Sequence, residues 1–548
     1  MKFKQAWLGN FVLIFTLGSI MTGCSGNSSK EGGNQSANEQ TEQTTDDGRE
    51  IVGNVYVSGL PVVKDKYEFT LFMPGADGMD EIDSYNKLEE ITNVDVKWDV
   101  PSWAEVGEKK NLMFASGDYP DVLAGWLLSD DEIMKYGPKG VLVPLEELIE
   151  KYTVNIKKML EESPEVRKAI TTPDGHIYTI PLVQKQANTK SVMHINKQWL
   201  DKLGLQAPKT TDELYTVLKA FKEKDPNGNG KQDELPLSFM YNGTNNSQFG
   251  LFGSFGRVDS YDHLVVENGK VLFTAAHNEW KDAVVYLNKL WKEGLIDQEV
   301  FTHDWAQWEA KGMTPLYGVT LDWDGYESLG KEHFKEYEML LPLVGPSGQQ
   351  PIWPDPDPSI FRSQFAITSA AKEPAAILRW LDQMFPAVTA EGLNETLYGP
   401  KGEGWTTSDD GKFKALVVPT PEGEKPKWTK IGGFPNYWPM MEKTEGVYMG
   451  ADNVERENYK IIDLEKAYAP YVNKEPFPPI WLTPEQQSEV SSIKADILKA
   501  TDENMARWVT GEGDINAEWD KFQKSLEKMG LAKLLEIYQA AVDSYNNQ

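Results

Sequence analysis

Apolar and polar residues alternate in "YEFTLFMP", Tyr67–Pro74, which predicts a strand opening a folded body. The pattern then shifts to a helical period and back. "EIDSYNKLEEITNVDVKWDV" reads as helix then strand, "WAEVGEKKNLMFASGDYPDVLAGW" repeats that order, and "GVLVPLEELIEKY" continues it, with Gly117 and Pro120 at a helix-to-strand junction. A second series follows in "MHINKQWLDKLGL", "TTDELYTVLKAFKEKDPNGNGKQDELPLSF" with Thr211 as helix cap, "AVVYLNKLWKEGLI", "TPLYGVTLDWDGY" and "SQFAITSAAKEPAAILRWLDQMF". Such alternation predicts crossover units and a largely parallel sheet. From Thr483 to the end the pattern is mostly helical, and no fixed-period repeat is present.

Ahead of this body, Lys2 and Lys4 precede an apolar run from Phe11 to Met21, then Thr22 and Gly23 before Cys24. The run is too short for a stable span, which needs about 20 residues, and its flanks are those of a signal peptide, expected over residues 1–23. "MTGC" resembles the lipobox of a bacterial lipoprotein, and Cys24, the only cysteine, is the expected lipidated first residue of the mature chain. Residues 24–50 carry almost no apolar side chains and read as a flexible tether reaching on the order of 25 Å.

Composition narrows the function. At 548 residues with 40% hydrophobic content, the chain is long enough for two lobes with separate cores. The formal charge is −29, falling to −31 once the signal peptide is gone, with no Lys/Arg-rich run. Nucleic acid is therefore excluded as an expected partner. The 18 Trp, 22 Tyr and 21 Phe exclude global disorder and suit a polar ligand with flat apolar faces, although most must be core. Trp199, Trp280, Trp291, Trp380, Trp508 and Trp519 fall in helical patterns and are expected to pack.

"DPNGNGKQDE", Asp225–Glu234, begins like an EF-hand loop. Asp225, Asn227 and Asn229 stand at positions 1, 3 and 5, Gly230 at the sharp turn, and Lys231 where a backbone carbonyl suffices. Position 12 is Pro236, which offers no side-chain oxygen, and the acids arrive early as Asp233 and Glu234. Calcium accepts six to eight oxygens in flexible geometry, so these six residues form a candidate shell; magnesium, with its strict octahedron, suits them less. On spacing alone, a metal-free helix-stopping turn remains the alternative.

The ordered set "SGDYPDVL", "PEVRKAITTPDGHIYTIP", "INKQWLDKLGL", "TTDELYTVLKAFKEKDPNGNGKQDELPLSF", "WKEGLIDQEVF", "AAKEPAAILRWLDQMF" and "VTGEGDINAEWDKF" resembles the large LplA-type lipoproteins, family 1 solute-binding components of bacterial carbohydrate ABC importers. The resemblance implies an α/β, two-lobed periplasmic-binding-protein-like fold with an interlobe cleft and hinge and a helical C-terminal region. It implies an N-terminal lobe over 51–186 completed by about 366–400, and a C-terminal lobe over 187–365 completed by 401–548. It favours the structural calcium reading of the loop, as in alginate-binding relatives, and implies a monomeric, extracytoplasmic, membrane-anchored receptor that passes a saccharide to permease subunits.

A sugar cleft needs aromatic faces and polar groups for hydroxyls. Trp323 resembles the position at which related proteins present a stacking tryptophan. Trp103, Trp126, Trp353, Trp405 and Trp438 lie in loop-like contexts. Asn242 and Arg257 are candidate partners for hydroxyls or a uronate carboxylate. A non-catalytic receptor is the expected function. A secreted glycoside hydrolase needs only two suitably spaced carboxylates, so the abundant Asp and Glu keep it as the rival; a passive surface lipoprotein is a third class. Neither a zinc-ligand spacing nor a nucleophile elbow is present.

Overall fold

Most of the predicted helix–strand units supply a strand to one of two main sheets, whereas "GVLVPLEELIEKY" contributes only an isolated bridge at Leu142. The computed structural model describes residues 42–45, 48–75, 83–102, 105–125, 127–183, 189–243, 246–323, 325–354, 360–384, 402, 405–407, 413–415 and 459–547. Cys24, Trp103, Trp126 and Trp438 lie outside these residues, as does the expected signal peptide.

The small strands β1 (Glu42–Thr44), β2 (Glu50–Val52) and β3 (Val55–Tyr56) form an antiparallel sheet. The folded chain thus starts inside the expected 24–50 tether. A polar sequence suffices there because the turn closes on its own backbone, Thr45 N donating to Arg49 O at 2.9 Å, while the Arg49 guanidinium lies over Tyr56.

The first lobe carries β4 (Tyr67–Phe72), β5 (Val94–Asp99), β6 (Val122–Ala124), β7 (Ile180–Val183) and β14 (Ile360–Ile367) in the order β5-β4-β6-β14-β7. The second lobe carries β8 (Val192–Asn196), β9 (Leu235–Ser238), β12 (Tyr317–Asp322) and β13 (Tyr337–Leu340) in the order β13-β8-β12-β9. A hairpin, β10 (Leu264–Glu267) and β11 (Lys270–Phe273), and a short pair, β15 (Trp405–Thr407) and β16 (Phe413–Ala415), complete the strands.

Both main sheets are mixed rather than largely parallel. β4 runs parallel to β5 and β6, and β9 to β12, but β14 opposes β6 and β7, and β8 opposes β12 and β13. The two reversed strands are those that receive the chain from the other lobe. A strand entering from the crossing side must run against strands whose carboxyl ends face that side. The carboxyl ends of β4, β5, β6, β9, β12 and β13 therefore all look toward the crossings, where open α/β sheets bind ligands.

The return to the first lobe begins at Ile360, ahead of the expected residue 366, because Ile360 and Phe361 already pair with Val183 and Leu182. The helix Pro374–Asp382 follows and is locked in place by Asp382, whose carboxylate accepts from the backbone N–H groups of Val154, Asn155 and Ile156 at the start of helix Asn155–Glu162. Residues 469–483 make a further bridge: the chain leaves the second lobe's core at Tyr468, touches the first lobe, and is back in the second lobe's core by Val490. Phe477 packs into the second lobe's core and Trp481 against the first lobe's, its indole N–H donating to Ala169 O at 2.9 Å. Arg362 fastens this segment, donating to the carbonyls of Pro479 and Ile480, stacking on Trp481 and pairing with Asp130.

One large core joins the second sheet to helix Asn278–Lys292 and to the C-terminal helices Pro484–Thr510, Ile515–Met529 and Leu531–Asn547. Trp199, Trp280, Trp508 and Trp519 are buried in it, Trp291 packs against it, and Trp380 is buried in the first lobe. All six residues of β12 are buried, since layers cover both of its faces.

Candidate functional site

Trp323 follows directly on β12, at the carboxyl edge that faces the crossings. The buried Asp322 orients it: one carboxylate oxygen accepts from Trp323 N at 2.6 Å and the other from Ser328 N at 3.3 Å. Trp323 itself is partly exposed, unlike the strand that carries it. Trp103 and Trp126 lie outside the described residues. For Trp405 the structure describes only its place in β15.

Three candidates are engaged by other protein groups. Trp353 is 1% exposed, donates its indole N–H to Lys190 O at 2.8 Å, and sits edge-on to Tyr468. Its backbone bonds to Tyr471 and Asn473, so it ties the segment entering the first lobe to residues 469–483. Arg257 is held by Glu267 through two hydrogen bonds of 2.6 and 3.0 Å and by Glu279 at 2.9 Å, which leaves little of its guanidinium for a ligand. Asn242 donates to Asp502 Oδ1 at 2.8 Å and accepts from Gln248 Nε2 at 2.6 Å, committing both ends of its amide.

The calcium-like loop joins helix Thr211–Glu223 to β9. The helix is capped by Thr210, one residue before the expected Thr211, because Thr210 keeps an extended backbone and its Oγ1 accepts from Glu213 N. At the other end Asp225 takes a left-handed backbone, φ +45°, and its carboxylate gathers the N–H groups of Gly228, Asn229 and Gly230 within 2.9–3.2 Å. Asn229 Oδ1 accepts from Lys231 N at 2.8 Å, and the amide nitrogens of Asn227 and Asn229 donate to Asp233 at 3.0 Å. Glu234 is 8% exposed, and neither of its carboxylate oxygens has a hydrogen-bond partner. Burial outweighs the nearby backbone N–H groups of Glu234 and Asn227 and, with Asp225 and Asp233 adding to it, pushes its carboxyl above the usual range. A buried carboxylate without a partner is costly, and an oxygen-seeking cation would remove that cost. Among the described residues no three His, Cys, Asp or Glu side chains converge as a metal-binding group. The loop's oxygens would reach calcium only after the Asn227 and Asn229 amides turn over, a rotation that exchanges donor for acceptor with little change of shape.

A cavity of about 190 Å³ lies where the crossings meet the second lobe, lined among others by Ser191, Pro354, Phe477 and Tyr261. Tyr261 is 57% exposed, and nothing in "RVDSYDH" distinguishes it from a surface tyrosine before folding. The exposed Trp305, 40% exposed at the start of helix Trp305–Gly312, also escaped the sequence reading because "DWAQWEAKG" has a helical period.

Residues 76–385 match the bacterial extracellular solute-binding protein family. The fructooligosaccharide ABC transporter substrate-binding protein FusA of Streptococcus pneumoniae serotype 4 is 36% identical over 474 residues, 84% of this chain and 86% of the relative. Its structure in complex with kestose superposes with a TM-score of 0.74 at 33% identity, covering 88% of this chain and 99% of that one. An EF-hand mutant of FusA in complex with fructo-nystose gives 0.73 at 31% identity with the same coverage. These matches span both sheets and the crossings, and they favour binding over the hydrolase alternative. The chain belongs to the bacterial extracellular solute-binding protein family.

Proposed function

We propose that this protein is an extracytoplasmic receptor that captures an oligosaccharide between its lobes and delivers it to an ABC importer. Membership of the solute-binding family is the observation that carries this reading, and the topology supports it, since the carboxyl edges of both sheets look toward the crossings. The open form presents Trp323 as a flat face for a sugar ring. Contacts from both lobes then favour the closed form, which docks on the permease subunits. The chemistry is binding only, and the saccharide leaves unaltered. Cys24, lipidated after signal cleavage, anchors the receptor on the outer side of the cell membrane.

Calcium is the structural cofactor of this reading. Asp225, Asn227, Asn229, the Lys231 carbonyl, Asp233 and Glu234 would hold it, and the unpartnered Glu234 carboxylate supports that assignment. An EF-hand is also named in FusA. The ion would tie the end of helix Thr211–Glu223 to β9, remote from any reaction. Calorimetric titration with neutral and uronate oligosaccharides, paired with a hydrolysis assay on each, tests the function. Kestose, a ligand in the FusA structure, is the first to use. Saturable binding with the glycan recovered intact is expected; turnover of a bound glycan overturns the receptor reading.

A further inference from the structure

Helix Asp130–Tyr136 opens with three acids, and each has a different partner. Glu132 is committed to the Ser129 cap and to Lys110 at 2.9 Å. Asp130 pairs with Arg362, a residue of β14 at the place where the register of that strand shifts, between Phe361 and Phe365. Such a shift re-aims a side chain, and this one turns the guanidinium toward the carbonyls of Pro479 and Ile480. Asp131 alone reaches the other lobe: its Oδ2 accepts from Gln487 Nε2 at 2.6 Å.

The bond joins two separately packed bodies. The helix of Asp131 buries Ile133 against strands of the first sheet, whereas the helix of Gln487, Pro484–Thr510, buries Val490 and Ile497 in the core of the second lobe. Lys494 lies two turns beyond Gln487 on the same face of that helix. It pairs with Asp262 at 3.4 Å and donates to the Tyr538 hydroxyl at 3.0 Å, both in the second lobe. Burial and Asp130 push the Asp131 carboxyl up, and Lys494 and the Gln487 bond pull it down, so the ammonium also acts across the junction. A second contact of the same kind joins helix Pro164–Ile170 of the first lobe to the C-terminal helix, with the Lys168 ammonium 4.0 Å over the Tyr545 ring. Solvent-exposed contacts such as these are individually weak. They add little to the stability of either lobe and act mainly on the balance between lobe arrangements.

We propose that Asp131, Gln487 and Lys494, together with the Lys168–Tyr545 stack, form an interlobe latch that holds the lobe arrangement of this structure. Rotation of the lobes moves helix Asp130–Tyr136 against helix Pro484–Thr510 and breaks it. Saccharide affinity is then set in part by residues remote from the saccharide. That consequence rests on the receptor reading; the latch itself does not.

The test measures the lobe arrangement and the affinity separately. Nitroxide labels at Asn86→Cys and Lys270→Cys, exposed positions of the first and second lobes, report the interlobe distance by pulsed electron resonance. The mature chain carries Cys24→Ser, which removes its only native cysteine. Asp131→Ala, Gln487→Ala and Lys168→Ala should each shift or broaden the ligand-free distance distribution. The Asp131→Ala, Gln487→Ala double variant should go no further than Asp131→Ala alone, because both remove one contact. Thermal melting should stay near that of the parent, since the contacts are exposed. In calorimetric titration with kestose, raffinose, maltotriose and trigalacturonate, each single variant should change the affinity for a bound sugar about two- to fivefold. Unchanged distances in all three single variants overturn the latch, as do shifted distances with wild-type affinity throughout. Failure of the parent to bind any of the four sugars overturns the receptor reading, while the ligand-free distances still decide the latch.

Discussion

Single residues divide into those that hold the second lobe and those that face the cleft. His263 is the clearest of the first group. It is fully buried, and burial alone would depress its imidazolium; the Asp259 carboxylate and its hydrogen bond, with Asp502 beyond, outweigh that and raise the group to about 9. A raised folded value means the pair stabilises fully below the unfolded value near 6.5 and loses that contribution as pH climbs toward 9. Stability should therefore fall by on the order of 3 kcal/mol across this interval, and His263→Gln should flatten the slope; a urea midpoint equal at pH 6.5 and pH 9 would refute the pair's role. Trp323 is proposed for the second group. Trp323→Ala should weaken oligosaccharide binding about tenfold or more, as loss of an anchoring aromatic does, with melting unaffected. An unaltered dissociation constant would remove it from the cleft.

At the scale of elements, the strands and helices follow from periodicity, and the loop between them carries the cofactor prediction. Calcium present at about 100 times its dissociation constant should stabilise the chain by roughly 2.7 kcal/mol. Glu234→Gln should remove most of that gain, and a melting curve identical in calcium and in chelator would leave the loop as a plain turn. A second prediction concerns the crossings. A Cβ at Gly253 would stand 1.5 Å from Ile352 O, one residue before the Trp353 bridge. Gly253→Ala should thus cost at least ~1–3 kcal/mol by overpacking, read as a lower urea midpoint. Legibility stops at the same crossings. Helical-period tryptophans such as Trp280 and Trp508 declared themselves as packing residues, whereas Trp353 in "PIWPDPDP" looked like a loop residue. Its burial comes from a bridge to Tyr471, more than a hundred residues away, which no local pattern encodes. The same holds for Arg257: its partners Glu267 and Glu279 are close in sequence, but only the packing of the hairpin beside helix Asn278–Lys292 closes the clamp. Strand direction was hidden for a similar reason, since apolar runs give strands but not the lobe from which each is entered.

For the whole molecule, two mixed main sheets are joined by chain segments that pass between them, and the family match identifies that body as a solute receptor. The sequence resemblance reached this level because its motifs are spread along nearly the whole chain. It could not name the residues at the hinge, which come from three distant segments. The receptor account makes one demand on the whole chain: the sugar must lie between the lobes and survive there. A crystal structure of the mature protein grown with the oligosaccharide that titrates most tightly tests this most directly. The account predicts an intact glycan between the two sheets, with a ring against Trp323. A glycan cleaved in the cleft, or one bound to an outer face with Trp323 untouched, would contradict it.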